Sequence, residues 1–139
     1  MPGGLGGGRG GIEGNPISLD DPDPKFAEYL ARLRDMIESK MGFYPCIKNQ
    51  QTRECEYKNT DLYLEFGILK NGQLQFIDFR RSSGFPAYDD NSATAVKLAA
   101  PFPAPPVSML ASMKQGSTGI AIVGHFIYTY EVTLRGVLR

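Results

Sequence analysis

"LYLEFGILKNGQLQFIDF", residues 62–79, alternates apolar side chains with others on either side of an Asn-Gly pair. In an extended chain Leu62, Leu64, Phe66 and Ile68 share one face, and Tyr63, Glu65 and Gly67 share the other. Asn71-Gly72 is the strongest short hairpin-turn signal, because both residues accept positive φ. The stretch is therefore predicted to be a β-hairpin. On the return limb Leu74 is followed inward by Ile77 and Phe79 rather than Phe76. One extra residue at Gln75–Phe76, a β-bulge, restores the alternation.

Outward from the hairpin, "DPKFAEYLARLRDMIESKMG" (23–42) places Phe26, Leu30, Leu33, Ile37 and Met41 on one stripe of a helix. Asp23 is the expected N-cap, Pro24 the first helical position and Gly42 the stop. A groove-binding stripe is the sharper alternative to a core face. "AYDDNSATAVKLAA" (87–100) is a second, weaker helix with Tyr88, Ala95, Val96 and Ala99 on one face, ended by Pro101. "GIAIVGHFIYTYEV" (119–132) is a long strand whose Ile120, Ile122, Gly124, Phe126, Tyr128 and Tyr130 face one way. The order helix–strand–strand–helix–strand predicts an α+β fold, a three-stranded antiparallel sheet packed against two helices. Its expected core is Leu64, Phe66, Ile77, Phe79, Val96, Phe102 and Phe126, with Leu30, Leu33 and Ile37 from the first helix.

Residues 1–24, "MPGGLGGGRGG" followed by turn-rich "GNPISLDDPDP", read as flexible linker, and the opening glycines as the cut end of one. The chain is thus expected to be a soluble domain of a longer protein, folded over 25–134 with a tail at 135–139. A phosphate-binding loop needs a preceding strand, a following helix and a Lys-Ser/Thr pair, none of which these glycines have. Fifteen acidic residues balance fifteen basic ones, so no net field draws nucleic acid or anionic membrane. The Arg80-Arg81 pair is too short to argue for nucleic acid. Cys46 and His125 could form a thiolate–imidazole pair oriented by Asp61 or Asp89, but no spacing supports it. Two cysteines and one histidine fall short of a zinc set, and Asp20, Asp21 and Asp23 lack calcium-loop spacing. No catalytic residue, metal or cofactor is expected. A binding module fits better than an enzyme.

The order of signposts resembles the C-terminal periplasmic domain of the TonB/TolA superfamily, TonB most closely. The matching residues are Tyr44-Pro45 after the first helix, the bulged "LYLEFGILKNGQL" hairpin, and Arg81-Ser82-Ser83-Gly84. Tyr88-Asp89 opening the second helix and "AAPFPAPP" (99–106) leading to the last strand complete the set. Two departures stand out. "CIKNQQTRECEYKNTD" (46–61) is longer and more polar than the family's connection, and Asn91 and Ser92 replace small apolar residues.

The resemblance implies that Phe102 is a core plug and its prolines a stiff crossover. The alternative is an exposed Pro103-x-x-Pro106 ligand. It also implies a periplasmic domain, tied through sequence N-terminal to it to an inner-membrane, proton-driven motor. That domain would capture an extended segment of an outer-membrane transporter or another envelope partner. A free edge on the last strand is the physical means. The expected partner-binding residues are Ile122, Val123, Gly124, His125, Phe126, Ile127 and Tyr128, with Tyr44, Pro45, Arg80 and Arg81 as secondary contacts. An oxidising compartment would join Cys46 to Cys55, nine positions apart; two free buried thiols are the alternative. A TolA-like or motility-machine connector and a homodimer using the same edge remain open.

Overall fold

The computed structural model describes residues 8–130. In chain order the elements are β1 (Ile17–Ser18), α1 (Ala27–Glu38), β2 (Ile47–Lys48), β3 (Cys55–Glu56), β4 (Thr60–Leu69), β5 (Leu74–Arg81), α2 (Pro86–Ala99), α3 (Val107–Ala111) and β6 (Gly119–Tyr128). The last strand ends at Tyr128, short of the expected Tyr130. Its extension over 131–132, the expected end of the domain at 134, the tail at 135–139 and the linker reading of residues 1–7 lie outside the described residues.

The hairpin forms as β4 and β5, with Leu62, Leu64, Phe66 and Ile68 wholly buried on one face. Its turn differs from the expected pair of positive-φ residues. Only Gly72 is left-handed, at φ 93°, and Asn71 is not. The Leu69 carbonyl accepts from the Gly72 amide and the Leu69 amide donates to the Gln73 carbonyl, both at 2.8 Å. Such bonding is that of a three-residue loop ending on a glycine bulge. Gly67 pairs with Phe76 and Ile68 with Leu74, so Gln75 is the extra residue of a bulge at the expected place. A second register shift passes over Arg80.

The sheet has four strands in the order β1-β6-β4-β5, not three, and a separate two-stranded ribbon pairs β2 with β3. The expected helix–strand–strand–helix–strand series is present as α1, β4, β5, α2 and β6. One helix-covered face holds the core, where Leu30, Leu33 and Ile37 of α1 and Tyr88, Ala95, Val96 and Ala99 of α2 meet the β4 and β6 side chains. Phe79 departs from the expected core. It is 42% exposed, because β5 is the outermost strand and nothing pairs beyond it among the described residues.

Asp23 does not cap α1. Its side chain accepts from the Lys25 amide and its carbonyl from the Phe26 amide, which closes a turn before the helix begins at Ala27. Past the helix end the chain turns through Met41, and Gly42 leaves at φ 70°. Phe102 is 4% exposed, and its amide donates to the Gly72 carbonyl at 2.8 Å. The proline-rich segment therefore plugs the core and covers the hairpin turn. A Cβ on Gly72 would overlap the Phe102 carbonyl. The segment then opens α3, which sequence periodicity did not announce.

The largest difference concerns residues 8–24, read from composition as linker. Ile12, Ile17 and Leu19 are buried, and β1 runs parallel to β6 with Ile17 opposite Ile122 and Ser18 opposite Val123. Before β1 the segment crosses the sheet face that bears no helix. There Ile12 reaches Gly67, and the Arg9 guanidinium lies 4.3 Å from the Phe76 ring centre. Phe76 is buried by this segment.

Candidate functional site

Strand β6 contributes alternate backbone groups to opposite sides. The Val123 carbonyl accepts from the Leu19 amide at 2.8 Å, so Val123 faces β1 and Gly124 faces β4. By the same alternation His125 and Ile127 turn their amides and carbonyls outward, and Phe126 and Tyr128 turn theirs toward β4. Beyond Leu19 no described strand pairs with that edge. The uncovered portion is thus His125–Tyr128, shorter than the expected 122–128, since Ile122 and Val123 already lie beside β1.

Beneath the uncovered portion runs a groove of about 330 Å³ between α1 and β6. Leu19, Ile37, Met41 and Phe126 supply its apolar wall, with Arg34, Glu38 and Asp20 at the rim. Arg34 is already engaged, donating to the Leu19 carbonyl at 2.7 Å. Gly124 leaves space for its neighbours, because a Cβ there would press on Phe126 and Leu19. Toward the end of β6 a second hollow continues past Met41, Phe43, Tyr44, Ile127 and Tyr128. Ile127 is 64% exposed and Phe43 97%, so a stretch of exposed apolar surface adjoins the open edge.

Tyr44 is the hub of an aromatic cluster, edge-on to Tyr57, Tyr88, Tyr128 and Tyr130 at 5.6–5.8 Å. Its hydroxyl donates to the Lys58 carbonyl at 2.8 Å, and burial together with the neighbouring tyrosines pushes its pKa up to about 12. Pro45 serves the core: its carbonyl accepts from the buried Tyr88 hydroxyl at 2.6 Å. Tyr128 places its hydroxyl 2.6 Å from Ser92 Oγ and accepts from Asn91 Nδ2 at 3.0 Å. The polar pair that departs from the resemblance thus anchors the end of β6.

The two arginines diverge. Arg80 Nη1 donates to Glu65 Oε1 at 2.6 Å, while Arg9 Nη2 holds the other oxygen at 3.0 Å. Glu65 is 1% exposed, a buried carboxylate with a guanidinium on each side. Arg81 donates to Asp61 Oδ2 at 2.7 Å, and His125 Nε2 lies 2.6 Å from the same oxygen. The His125 bond, and after it the Arg81 contact, hold the Asp61 pKa below its ordinary value against its partial burial. His125 also stacks on Tyr63 at 4.2 Å. Tyr44, His125, Ile127 and Tyr128 are therefore gathered at one end of β6, with Arg81 joined through Asp61 and Arg80 committed elsewhere. Of the imagined thiolate–imidazole trio, only His125 and Asp61 meet. Cys46 is joined to Cys55 in a disulfide that fastens the β2–β3 ribbon, where Lys48 pairs with Cys55.

Sequence reasoning missed the groove wall at Leu19 and Met41, exposed Phe43, and Glu65. The one available signal was Ile17-Ser18-Leu19, an alternating apolar triplet hidden among turn residues.

No curated protein and no solved structure gives a significant match to the chain. A family model described as TonB C terminal matches residues 26–115, from the residue before α1 through α3. That span exceeds half of the chain, and it holds the hairpin, the Tyr44 hub and the Phe102 plug described above. The chain belongs to the TonB C-terminal family, and with it to the TonB-like envelope proteins.

Proposed function

We propose that this domain works in the periplasm, capturing an extended segment of an outer-membrane partner as an added strand along His125–Tyr128 of β6. The observation that carries this is the outward backbone of His125 and Ile127, bordered by an apolar groove and, among the described residues, left uncovered where β1 ends. Paired main chains would supply generic affinity, and a side chain entering the Leu19–Ile37–Met41–Phe126 groove would supply selectivity. The opposite edge is less suited. Strand β5 carries two bulges and the charged Asp78, Arg80 and Arg81, features that blunt an edge against pairing. In a TonB-like scheme, force from a proton-driven inner-membrane motor would arrive through sequence N-terminal to the domain and pass to the captured strand.

The test is titration with peptides from the periplasmic segments of outer-membrane transporters, comparing the unaltered chain with Ile127→Pro. Proline removes one outward donor but no bond to β4. Ile127→Pro is expected to fold and to lose capture. Full affinity in a folded Ile127→Pro chain would contradict strand addition. Concentration-dependent self-association abolished by the same substitution would instead identify a second copy as the occupant.

A further inference from the structure

We infer that residues 9–19 are a releasable strap that regulates the length of the capture edge. The inference rests on the reading of β6 as that edge. The strap's ladder with β6 is two residues long, while the other side of β6 pairs with β4 from Gly119 to Tyr128. Beyond the ladder, the strap is held by side-chain contacts and by two backbone bonds to the segment before β6, the Lys114 and Thr118 amides donating to the Glu13 and Gly11 carbonyls. Arg9 bonds Glu65, Ile12 packs on Gly67 and Phe76, and Glu13 exchanges bonds with Lys114 and Ser117. Its residues precede the 26–115 span that matches the family.

Two features let the rest of the fold survive its departure. Glu65 would be an isolated buried charge if Arg9 were its sole partner, but Arg80 binds its other oxygen at 2.6 Å and remains in place. Most of the cover over the helix-side core of Leu62, Leu64, Phe66, Ile120 and Ile122 comes from α1 and α2, which the strap does not carry; the strap adds Ile17 and Leu19 at its edge. Release would turn the Val123 backbone outward in line with His125 and Ile127, so the open edge would grow by one outward residue at its upstream end. It would also vacate the places of Ile17 and Leu19, two apolar side chains on the helix side separated by exposed Ser18. The strap thus has the alternation expected of an incoming strand, and it competes with one for the same edge.

The test is residue-resolved amide hydrogen exchange on the full chain without any partner. The Val123 amide faces β1, whereas those of Ile122 and Gly124 face β4. Release of the strap alone makes Val123 exchange about tenfold or more faster than the other two. A peptide of residues 15–21, Asn-Pro-Ile-Ser-Leu-Asp-Asp blocked at both ends, gives the second readout. It should bind a Leu19→Asp chain about tenfold tighter than the intact one, since the weakened strap no longer competes. Equal exchange at Val123 and Ile122, or equal peptide binding by the two chains, overturns the strap. Failure of transporter peptides to bind would overturn capture and leave the exchange rates unchanged.

Discussion

At the residue scale, the buried polar groups define what this fold cannot lose. Tyr128→Phe removes the hydroxyl that Ser92 and Asn91 share, leaving Ser92 buried without that partner. It should lower unfolding stability by about 1–3 kcal/mol in a urea titration. Asp89 gives the pH dependence. Burial pushes its pKa up, but the Ser82 hydroxyl and the Ser83 amide outweigh burial and hold it below the ordinary value. A depressed carboxylate adds stability above its unfolded pKa of about 3.9, and that stability is lost as pH falls through the lower folded value. Asp89→Asn should therefore weaken the protein at neutral pH and flatten the acid limb of its stability curve, measured by melts between about pH 2 and 7.

At the element scale, Phe102 and the disulfide have separable roles. Phe102→Ala should cost about 3–5 kcal/mol, the loss of a buried aromatic, and a thermal melt reads it directly. Reduction of Cys46–Cys55 opens a loop of about 10 residues and should cost roughly 2.7 kcal/mol in the chain-entropy model. Intact mass before and after reduction should show the gain of two hydrogens. The hairpin, both long helices and β6 were legible because each carries a sustained period of 2 or 3.6 with a turn signal at its end. Strand β1 was not, since two residues cannot establish a period and "GNPISLDDPDP" is dominated by turn formers. Phe79 fits the hairpin alternation yet stays half-open, because alternation reports which face a residue takes and not whether anything covers it.

At the scale of the whole molecule, the sheet's two edges are unequal, and the inequality supports the proposal that β6 is the working surface. The sequence pointed to β6 through its length, and among the described residues β1 pairs with only part of that strand, which leaves the proposed site the half from His125 to Tyr128. Which amides face outward depends on the strand phase relative to β1 and β4, and no side-chain pattern encodes that. Gly124→Pro should therefore unfold the domain, because its amide faces β4, while Ile127→Pro should leave the melt nearly unchanged. The most direct test of strand capture is amide hydrogen exchange at His125 and Ile127, with and without a bound peptide from an outer-membrane transporter. Both amides should slow by about tenfold or more, with those of Ile77 and Phe79 on β5 unchanged. A peptide that binds while His125 and Ile127 exchange as fast as before would show that the partner does not add to β6.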